Sequence, residues 1–144
     1  MAEIKFITPF DTDFSAVRDI RTDVFIAEQG VIASQEFDLF DEVTSGAYFA
    51  AAYEGARIIG TGRLVIGGKY KIGRIAVRRE HRGKGVGGQI VSALLEKAAS
   101  LGAERVYVDA QPKAVPFYEK YGFKICGKDI IDRGLPHSPM AKAL

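Results

Sequence analysis

Cysteine, histidine and long apolar segments are scarce in this chain, and each scarcity excludes a class of protein. Cys126 is the single cysteine, so we expect no internal disulfide framework and no metal site. With neither histidine near it in the sequence, Cys126 is expected to be a small buried hydrophobic residue rather than a nucleophile. No apolar run approaches the roughly 20 residues of a membrane-spanning helix. The N-terminus also lacks the basic and apolar regions of a secretory signal. We therefore expect a cytoplasmic protein without a membrane partner.

The charged residues are unevenly distributed along the chain. Residues 1–54 contain eleven acidic and three basic side chains, whereas residues 55–144 contain seven acidic and seventeen basic ones. The segment 69–84 alone has seven bases against one acid, Glu80. Such a segment is either a solvated basic face or the binding site of an anion. It lacks the interleaved aromatic residues and module motifs of nucleic-acid-binding proteins, so we expect no nucleic-acid partner.

The spacing of apolar residues predicts one mixed α/β domain without internal repeats or linkers. Helical periodicity predicts three helices: Phe14 to Gly30 with Asp11 and Asp13 as caps, the segment from the glycines at 83–88 to Gly102, and 115–123. Strands are predicted at 3–8, 47–66 (a hairpin turning near Gly55), 70–77, 104–110, 123–130 and 137–144. Residues 31–46 are acidic and predict an irregular connection. The resulting β-α-β-β-β-α-β-α-β-β order indicates a central antiparallel meander.

The segment 78–100, RREHRGKGVGGQIVSALLEKAAS, predicts a phosphate site, because a glycine turn and a helix start both present free N–H groups. Gly83, Gly85 and Gly88 fit the G-x-G-x-x-G pattern of dinucleotide-binding proteins, and Asp109 follows about 20 residues later. We reject that interpretation because RREHR separates the glycines from the preceding strand, and because three strands without intervening helices come before them. A Walker A loop is excluded because Ser or Thr does not follow Gly-Lys at the required spacing.

The alternative interpretation is the motif Arg82-x-x-Gly85-x-Gly87. With this motif the chain resembles the GNAT superfamily of N-acetyltransferases, whose acetyl-CoA site carries Q/R-x-x-G-x-G/A. The context is similar as well: the strand IGRIAV, a polar link, the motif, a long helix, a strand, and then AVPFYEKYGF, which resembles the second family motif. The resemblance covers about residues 45–127. A looser similarity of RTDVFIAEQGV and GLPHSPMAKAL to the YjcF/ElaA-like bacterial branch extends it to nearly the whole chain.

The resemblance implies a GNAT fold: a mixed, mostly antiparallel twisted sheet of six to seven strands, with helices on both faces and a splay between the fourth and fifth strands. It implies acetyl-CoA as co-substrate, with the pantetheine arm against the fourth strand and one backbone N–H polarising the thioester carbonyl. The implied cofactor-binding residues are Ile75, Ala76, Val77, Arg82, Gly83, Lys84, Gly85, Val86, Gly87, Gly88, Gln111, Phe117 and Tyr118. Phe117, like Phe123, is also expected to pack in the core.

Tyr118 is the implied catalytic residue, because it matches the family tyrosine that protonates the leaving CoA thiolate. A thiol has a pKa of about 8.5 and a phenol of about 10, so the thiolate already leaves readily near neutral pH. Tyr118 is therefore expected to raise the rate without being indispensable.

The general base is not identified by these motifs. Some GNAT members have a carboxylate on the fourth strand where this chain has Gly73, followed by Arg74. The candidates elsewhere, besides a route through water, are Glu28, Glu36, Asp38, Asp41, Asp109, His81 and His137. His81 is expected to be exposed, and His137 to reach the site only if the last strands fold back. The acid-rich first third borders the acceptor pocket in GNAT proteins, which suggests a cationic small-molecule amine as the acceptor.

The function implied is acetyl-CoA-dependent N-acetyl transfer to a primary amine of a small molecule or peptide. The alternative is a CoA-binding sensor or regulatory module without efficient turnover, because the strand-four carboxylate is missing. Transfer of other acyl groups, and transfer to oxygen, stay open within the enzyme interpretation. Exposed sheet edges make a homodimer a further expectation.

Overall fold

Eight strands and four α-helices form the part of the chain that the structure, a computed structural model, describes, namely residues 1–42 and 46–144. The strands are β1 (Glu3–Ile7), β2 (Ala47–Glu54), β3 (Arg57–Ile66), β4 (Tyr70–Val77), β5 (Arg105–Ala110), β6 (Lys124–Ile125), β7 (Ile130–Asp132) and β8 (Leu135–Ala143). The α-helices are α1 (Phe14–Arg21), α2 (Ala33–Glu36), α3 (Val86–Ser100) and α4 (Val115–Glu119). Helix α1 continues directly into a π-helix (Thr22–Glu28), and 3₁₀ turns lie at Leu39–Glu42, Arg79–His81 and Pro112–Ala114.

The strands form one twisted sheet in the order β1-β2-β3-β4-β5-β8-β6, with β7 paired to the outer part of β8. Only the β4–β5 pair is parallel, so the expected mixed, mostly antiparallel sheet is confirmed. It has eight strands rather than six to seven. The segment 123–130, predicted as one strand, is divided into β6 and β7 because the chain bends at Gly127.

Helices cover both faces of the sheet, as expected, and strand β2 shows why. Side chains alternate across a strand, so a central strand must be apolar on both faces to be buried there. Ala50 and Ala52 pack under α3, whereas Phe49, Ala51 and Tyr53 face α1 and the π-helix. The apolar run at the middle of β2 therefore places one hydrophobic core above the sheet and another below it.

Strand β4 leaves the sheet half-way along its length. It pairs with β5 only from Tyr70 to Ile72, so its remaining residues have no partner on that side. On the other side, Thr61 pairs with Ala76 while Arg63 pairs with Gly73, which leaves one extra residue on β4. This β-bulge bends the strand away from its neighbour. The predicted splay between the fourth and fifth strands is thus present, and it opens a cleft at the carboxyl ends of β4 and β5.

The first helix begins without the predicted side-chain caps. No side chain caps the first turn of α1, although Asp13 precedes it. The Asp13 carboxylate instead accepts a hydrogen bond of 2.8 Å from the Tyr53 hydroxyl, and Asp11 accepts one of 2.6 Å from the Thr8 backbone N–H. Asp11 therefore holds the β1–α1 connection, whereas Asp13 ties the start of α1 to β2.

Two further expectations are wrong in part. Cys126 is exposed rather than buried, because it follows the two-residue strand β6 at the edge of the sheet. The acidic connection 31–46 is more regular than predicted, since it contains α2 and the turn Leu39–Glu42, while residues 43–45 of it lie outside the described residues. None of the helices in the described part of the chain is long and apolar enough to cross a bilayer.

Candidate active site

The glycine turn before α3 leaves the helix start open to an anion. Gly85, the residue before α3, has φ 83°, a left-handed conformation that glycine adopts without strain. The helical ladder begins with the Gln89 N–H donating to the Gly85 carbonyl at 3.1 Å, so the N–H groups of Val86, Gly87 and Gly88 precede it. Among the described residues no side chain caps these groups, and the first turn contains no acidic residue. Free N–H groups at the positive end of a 15-residue helix make this turn suitable for a phosphate.

Aromatic residues from α4 and the turn after it cover the first turn of α3. The Phe117 ring packs against Gly87, and a β-carbon at Gly88 would lie only 1.9 Å from the Tyr121 hydroxyl oxygen. Gly88 is therefore needed for the close approach of Tyr121. Phe117 is half-buried and packs against the α3-side core, as expected, while its contact with the cofactor stays a prediction.

Arg82 ties the glycine turn to the rest of the cleft. Its Nε–H donates to the Val77 carbonyl at 2.9 Å, and its Nη groups contact the Glu28 carboxylate at 2.9 and 3.1 Å. The hydrogen bond from Arg82 holds the pKa of Glu28 below its usual range. Glu28 is therefore an ion-pair partner of the turn, and a poor candidate for the general base. Lys84 is exposed beside the same turn.

The backbone of β4 turns one edge toward the cleft. The Arg78 N–H donates to the Ile59 carbonyl at 2.8 Å, and antiparallel pairs alternate between bonded and non-bonded positions. By that alternation the backbone of Ala76 faces β3, and the backbone of Val77 faces the cleft. Ile75 lies on the bulge and lines the cleft cavity. Of the three residues expected to bind pantetheine, Val77 adjoins the cleft at the open strand edge and Ile75 adjoins it at the bulge. The backbone of Ala76 is hydrogen-bonded to β3 instead.

A cavity of about 110 Å³ lies in the cleft, between the bulge of β4, the end of β5, α4, β8 and the π-helix. Tyr118, Asp109 and His137 line it together. Gln111 lines it too, and its side-chain amide donates to Gln29 at 2.6 Å, which joins the end of β5 to the π-helix. The π-helix supplies Phe25 to the same wall, an arrangement that fits the frequent use of π-helices at functional sites.

Tyr118 is almost fully buried, and burial raises the pKa of its phenol. Its hydroxyl has no hydrogen-bond partner among the described residues. In the described part of the chain, His81 Nδ1 is the one side-chain polar atom that is both inaccessible to solvent and without a hydrogen-bond partner. Tyr118 nevertheless lines the cleft cavity, and the raised pKa keeps its phenol protonated there.

His137 reaches the cleft because β8 does fold back beside β5, with Ser138 opposite Ala110. The side chain is 2% exposed, and Nδ1 lies 2.9 Å from the Leu135 carbonyl oxygen. A carbonyl oxygen only accepts, so Nδ1 carries the hydrogen and a neutral ring keeps its lone pair on Nε2. Nε2 has no partner among the described residues and is not sealed, and His137 lines the cavity.

The acidic candidates on the first third of the chain are occupied by arginines. Glu36 and Asp41 are completely buried, and Arg21, itself 1% exposed, contacts them at 2.9 and 2.5 Å. Asp38 receives two hydrogen bonds from Arg63, at 2.7 and 2.8 Å. Burial acts to raise the pKa of Asp38, but the Arg63 guanidinium outweighs it and the pKa is lowered. These three carboxylates stabilise arginines, and none of them lines the cleft cavity beside Tyr118.

The two other candidates for the general base lie in different places, Asp109 at the cleft and His81 away from it. Asp109 lines the cleft cavity and forms an ion pair with Lys71, which lies across the β4–β5 interface. His81 was expected to be exposed, but its side chain is only 12% exposed, with Nδ1 3.7 Å from the Glu54 carboxylate. It does not line the cleft cavity. His137 and Asp109 are thus the candidate bases that the fold brings to Tyr118.

Three of the acids behind the cationic-acceptor hypothesis are paired inside the protein. Glu36, Asp38 and Asp41 face arginines, and Arg74 and Arg133, from distant parts of the chain, both contact Glu36. Burial, followed by the charge of Arg63, lowers the pKa of Arg74 to about 10, so it remains protonated at neutral pH. These three acids are therefore neutralised from within the protein.

Comparison with known proteins places this geometry in a family. The family model of the acetyltransferase (GNAT) domain matches residues 25–144. The chain belongs to the GNAT family. This GNAT chain is 39% identical over 125 residues to the uncharacterized N-acetyltransferase YjcF of Bacillus subtilis, covering 85% of the chain and 87% of that protein.

Solved structures of similar GNAT proteins have the same architecture. An acyl-CoA N-acyltransferase from Pseudomonas aeruginosa is 26% identical with a TM-score of 0.85, covering 99% of this chain and 100% of that one. Escherichia coli ElaA is 25% identical with a TM-score of 0.87, covering 99% of both chains. The fold, the bacterial branch and the enzyme class, an acyl-CoA N-acetyltransferase, are thereby confirmed.

Proposed function

We propose that this GNAT protein is a single N-acetyltransferase domain that moves an acetyl group from acetyl-CoA to the primary amine of a small molecule by direct attack on the thioester. The observation that carries the proposal is the cleft between β4 and β5. There the Tyr118 hydroxyl, the His137 Nε2 lone pair and the open edge of β4 adjoin one cavity.

The described residues fit CoA. The turn from Gly83 to Gly88 offers free N–H groups without a competing acid, and Lys84 adds an exposed positive charge. We assign this turn, with Arg82 as its anchor, to the pyrophosphate. We assign Ile75 and Val77 to the pantetheine arm and the Phe117 ring to the adjacent wall, with Gln111 at the far end of the cleft. When bound, acetyl-CoA supplies the acyl group as a thioester and a thiol as the leaving group.

A backbone N–H on the open edge of β4 polarises the carbonyl in this proposal. Val77 carries the best-placed group, because its N–H points away from β3 and β5 does not reach it. A donor that the fold already holds in place costs no reorganisation as negative charge develops on the carbonyl oxygen. Arg82 supports this geometry by fixing the Val77 carbonyl.

Tyr118 donates its hydroxyl hydrogen toward the departing sulfur. Because burial raises its pKa, the phenol stays protonated at neutral pH and is always available as a donor. The same raised pKa makes it a weaker acid than the thiol it serves, so the expected gain is about tenfold, below the usual range for general acids.

His137 is our proposed general base. Its Nε2 lone pair opens onto the same cavity as the Tyr118 hydroxyl, and the Leu135 carbonyl fixes the ring through Nδ1–H. Imidazole is the side chain that exchanges a proton most readily near neutral pH. The proton lost by the acceptor amine passes to Nε2. This assignment replaces the strand-four carboxylate that the chain lacks at Gly73.

Calorimetric titration with acetyl-CoA, with NAD as the control nucleotide, tests the cofactor. We expect micromolar binding of acetyl-CoA and none of NAD. Gly85→Asp should abolish acetyl-CoA binding, because it places a negative charge at the phosphate turn. Gly102→Asp is the matched control, since Gly102 has a similar φ of 92° and open space around it at the other end of α3. NAD binding without acetyl-CoA binding would overturn the proposal.

Steady-state kinetics test the base. His137→Gln, which retains a hydrogen-bonding group next to the Leu135 carbonyl, should lower kcat/KM for the amine about 100-fold or more. Its Kd for acetyl-CoA should stay unchanged. A decrease below about threefold would assign the base to Asp109 or to water instead. Binding of acetyl-CoA with no transfer to a broad amine panel would favour the CoA-sensor alternative.

A further inference from the structure

A second cavity of about 280 Å³ adjoins the cleft cavity, where β3, β4 and the turn Leu39–Glu42 meet. Gly73, Arg74, Asp109 and Arg133 line both cavities, so the two spaces are neighbours across the bulge of β4. An acceptor that occupies the second cavity lies next to His137 and Tyr118. The chemistry of its walls therefore decides which amines fit.

Two arginines on this wall are held rigidly by one buried residue, Glu36. Arg74 donates to the Glu36 backbone carbonyl through Nε at 3.3 Å and Nη2 at 3.0 Å, while Arg133 Nη1 lies 2.5 Å from the Glu36 carboxylate. Arg74 and Arg133 are also the two non-glycine residues in the described part of the chain that have positive φ, both at 52°. Strained backbone at both positions is a sign that the surrounding structure enforces their placement.

Each of these arginines keeps unused donors. Arg74 Nη1 and Arg133 Nη2 have no hydrogen-bond partner among the described residues, and neither atom is sealed from solvent. Both residues line both cavities, so these donors lie at the cavity walls. The nearby carboxylates Glu36, Asp38 and Asp132 are already paired with arginines, and Asp109 is paired with Lys71. Two open guanidinium edges on one wall form a site that matches a carboxylate.

The charge balance supports an anion at this position. Burial lowers the pKa of Arg74, and the charges of Arg63, Arg133 and Arg21 lower it further against the opposing effect of Glu36. A negatively charged group beside Arg74 would stabilise its protonated form and raise its pKa again. Across the cavities lie acceptors for a protonated amine, namely Asp109 and His137 Nε2.

We propose that the acceptor is a zwitterion, a primary amine whose molecule carries a carboxylate a few bonds away, as in an amino acid. Arg74 and Arg133 bind the carboxylate, and the amine points toward Asp109 and His137. This proposal rests on the proposed function and narrows its substrate class. It also takes the place of the cationic acceptor suggested by the acid-rich first third of the chain.

Matched acceptors test the proposal directly. Apolar amino acids are compared with their amides and with their decarboxylated amines, each with saturating acetyl-CoA. We expect kcat/KM for the amino acid to exceed both analogues about 100-fold, since a hydrogen-bonded charge is lost in each. Equal rates for the amide, or a preference for polyamines, would overturn the carboxylate subsite.

Substitutions of the two arginines test which residues recognise the carboxylate. Arg74→Gln should raise KM for the amino acid about tenfold or more and reduce its advantage over the amide. Arg133→Lys, which keeps the charge, should retain part of the advantage. Arg57→Gln is the matched control, because Arg57 pairs with Glu80 on the exposed surface away from both cavities. The same loss of preference in Arg57→Gln would contradict the assignment.

Product binding provides a readout that does not need turnover. In the presence of CoA, an N-acetylated amino acid should bind more tightly than the corresponding N-acetylated amine, measured by calorimetry, and Arg74→Gln should remove the difference. Equal binding of the two products would refute the subsite even if no tested amine is acetylated. Failure of acetyl-CoA to bind would refute the proposed function. Efficient acetylation of decarboxylated amines would refute only the carboxylate subsite.

Discussion

Neutralising Glu36 tests how strongly the buried ion network holds the fold together. Glu36 is completely buried and lies 2.9 Å from Arg21, 3.1 Å from Arg74 and 2.5 Å from Arg133. In Glu36→Gln the three guanidinium groups keep their charge, while the side chain retains a single neutral acceptor oxygen. Breaking a buried pair in this way costs about 3–5 kcal/mol, because the remaining charge stays desolvated without its partner. We expect the free energy of unfolding to fall by that amount.

The assay is thermal and urea denaturation of both proteins. For a chain of 144 residues, 1 kcal/mol corresponds to about 3 °C, so the Tm of Glu36→Gln should fall by about 9–15 °C. Glu80→Gln is the matched control, because the Arg57–Glu80 pair at 3.0 Å has more than half of each side chain exposed.

Exposed pairs contribute little to stability, and salt screens them. The control should therefore lose far less than Glu36→Gln, and less again in 0.5 M NaCl. A loss below about 1 kcal/mol in Glu36→Gln would refute the reasoning, because the arginines would then not depend on the Glu36 charge.

Three further predictions follow from single contacts. Tyr118→Phe should lower kcat about tenfold with an unchanged Kd for acetyl-CoA, and an unchanged kcat would remove the hydroxyl from the proposed mechanism. Gly85→Ala should lower the free energy of unfolding by about 1 kcal/mol in urea denaturation, and Gly85→Asn by less, since asparagine tolerates φ 83° better. Equal losses in the two variants would show that the left-handed conformation of residue 85 is not the cause. Burial, reinforced by Asp13, raises the pKa of Tyr53 to about 12 from 10.0, so its contribution is complete below pH 10 and lost as the pH rises through 12. Tyr53→Phe should flatten the fall of stability over that range, and a slope equal to that of the parent protein would exclude this origin.

Local patterns predicted most of the fold because the elements themselves are locally encoded. The alternating strands, the helix after Gly85 and the hairpin at Gly55 depend on side chains close together in sequence. The splay between β4 and β5 came with the family resemblance instead. The splay is caused by the bulge at Arg74. A bulge is a mismatch in length between two paired strands, so the sequence of β4 alone does not reveal it.

The candidate site was less predictable, since its parts meet only in the folded chain. Arg133 pairs with Glu36, which lies 97 residues earlier in the sequence, and the acidic segment itself contains no pattern that predicts an arginine partner. His137 reaches Tyr118 because β8 returns beside β5. The π-helix was missed because the spacing of Val24 and Phe25 fits an α-helix equally well.

The interrupted pairing of β4 has a consequence for isotope labelling. Amide hydrogens inside a sheet exchange slowly with deuterated water, because each is held by the neighbouring strand. The Val77 N–H lies on the side that β5 has left, so in the free protein it should exchange far faster than that of Ile72, which is still opposite β5. A ligand that completes the edge should slow its exchange. One amide on β4 thus reports occupancy of the cleft without a chromophore or a turnover assay.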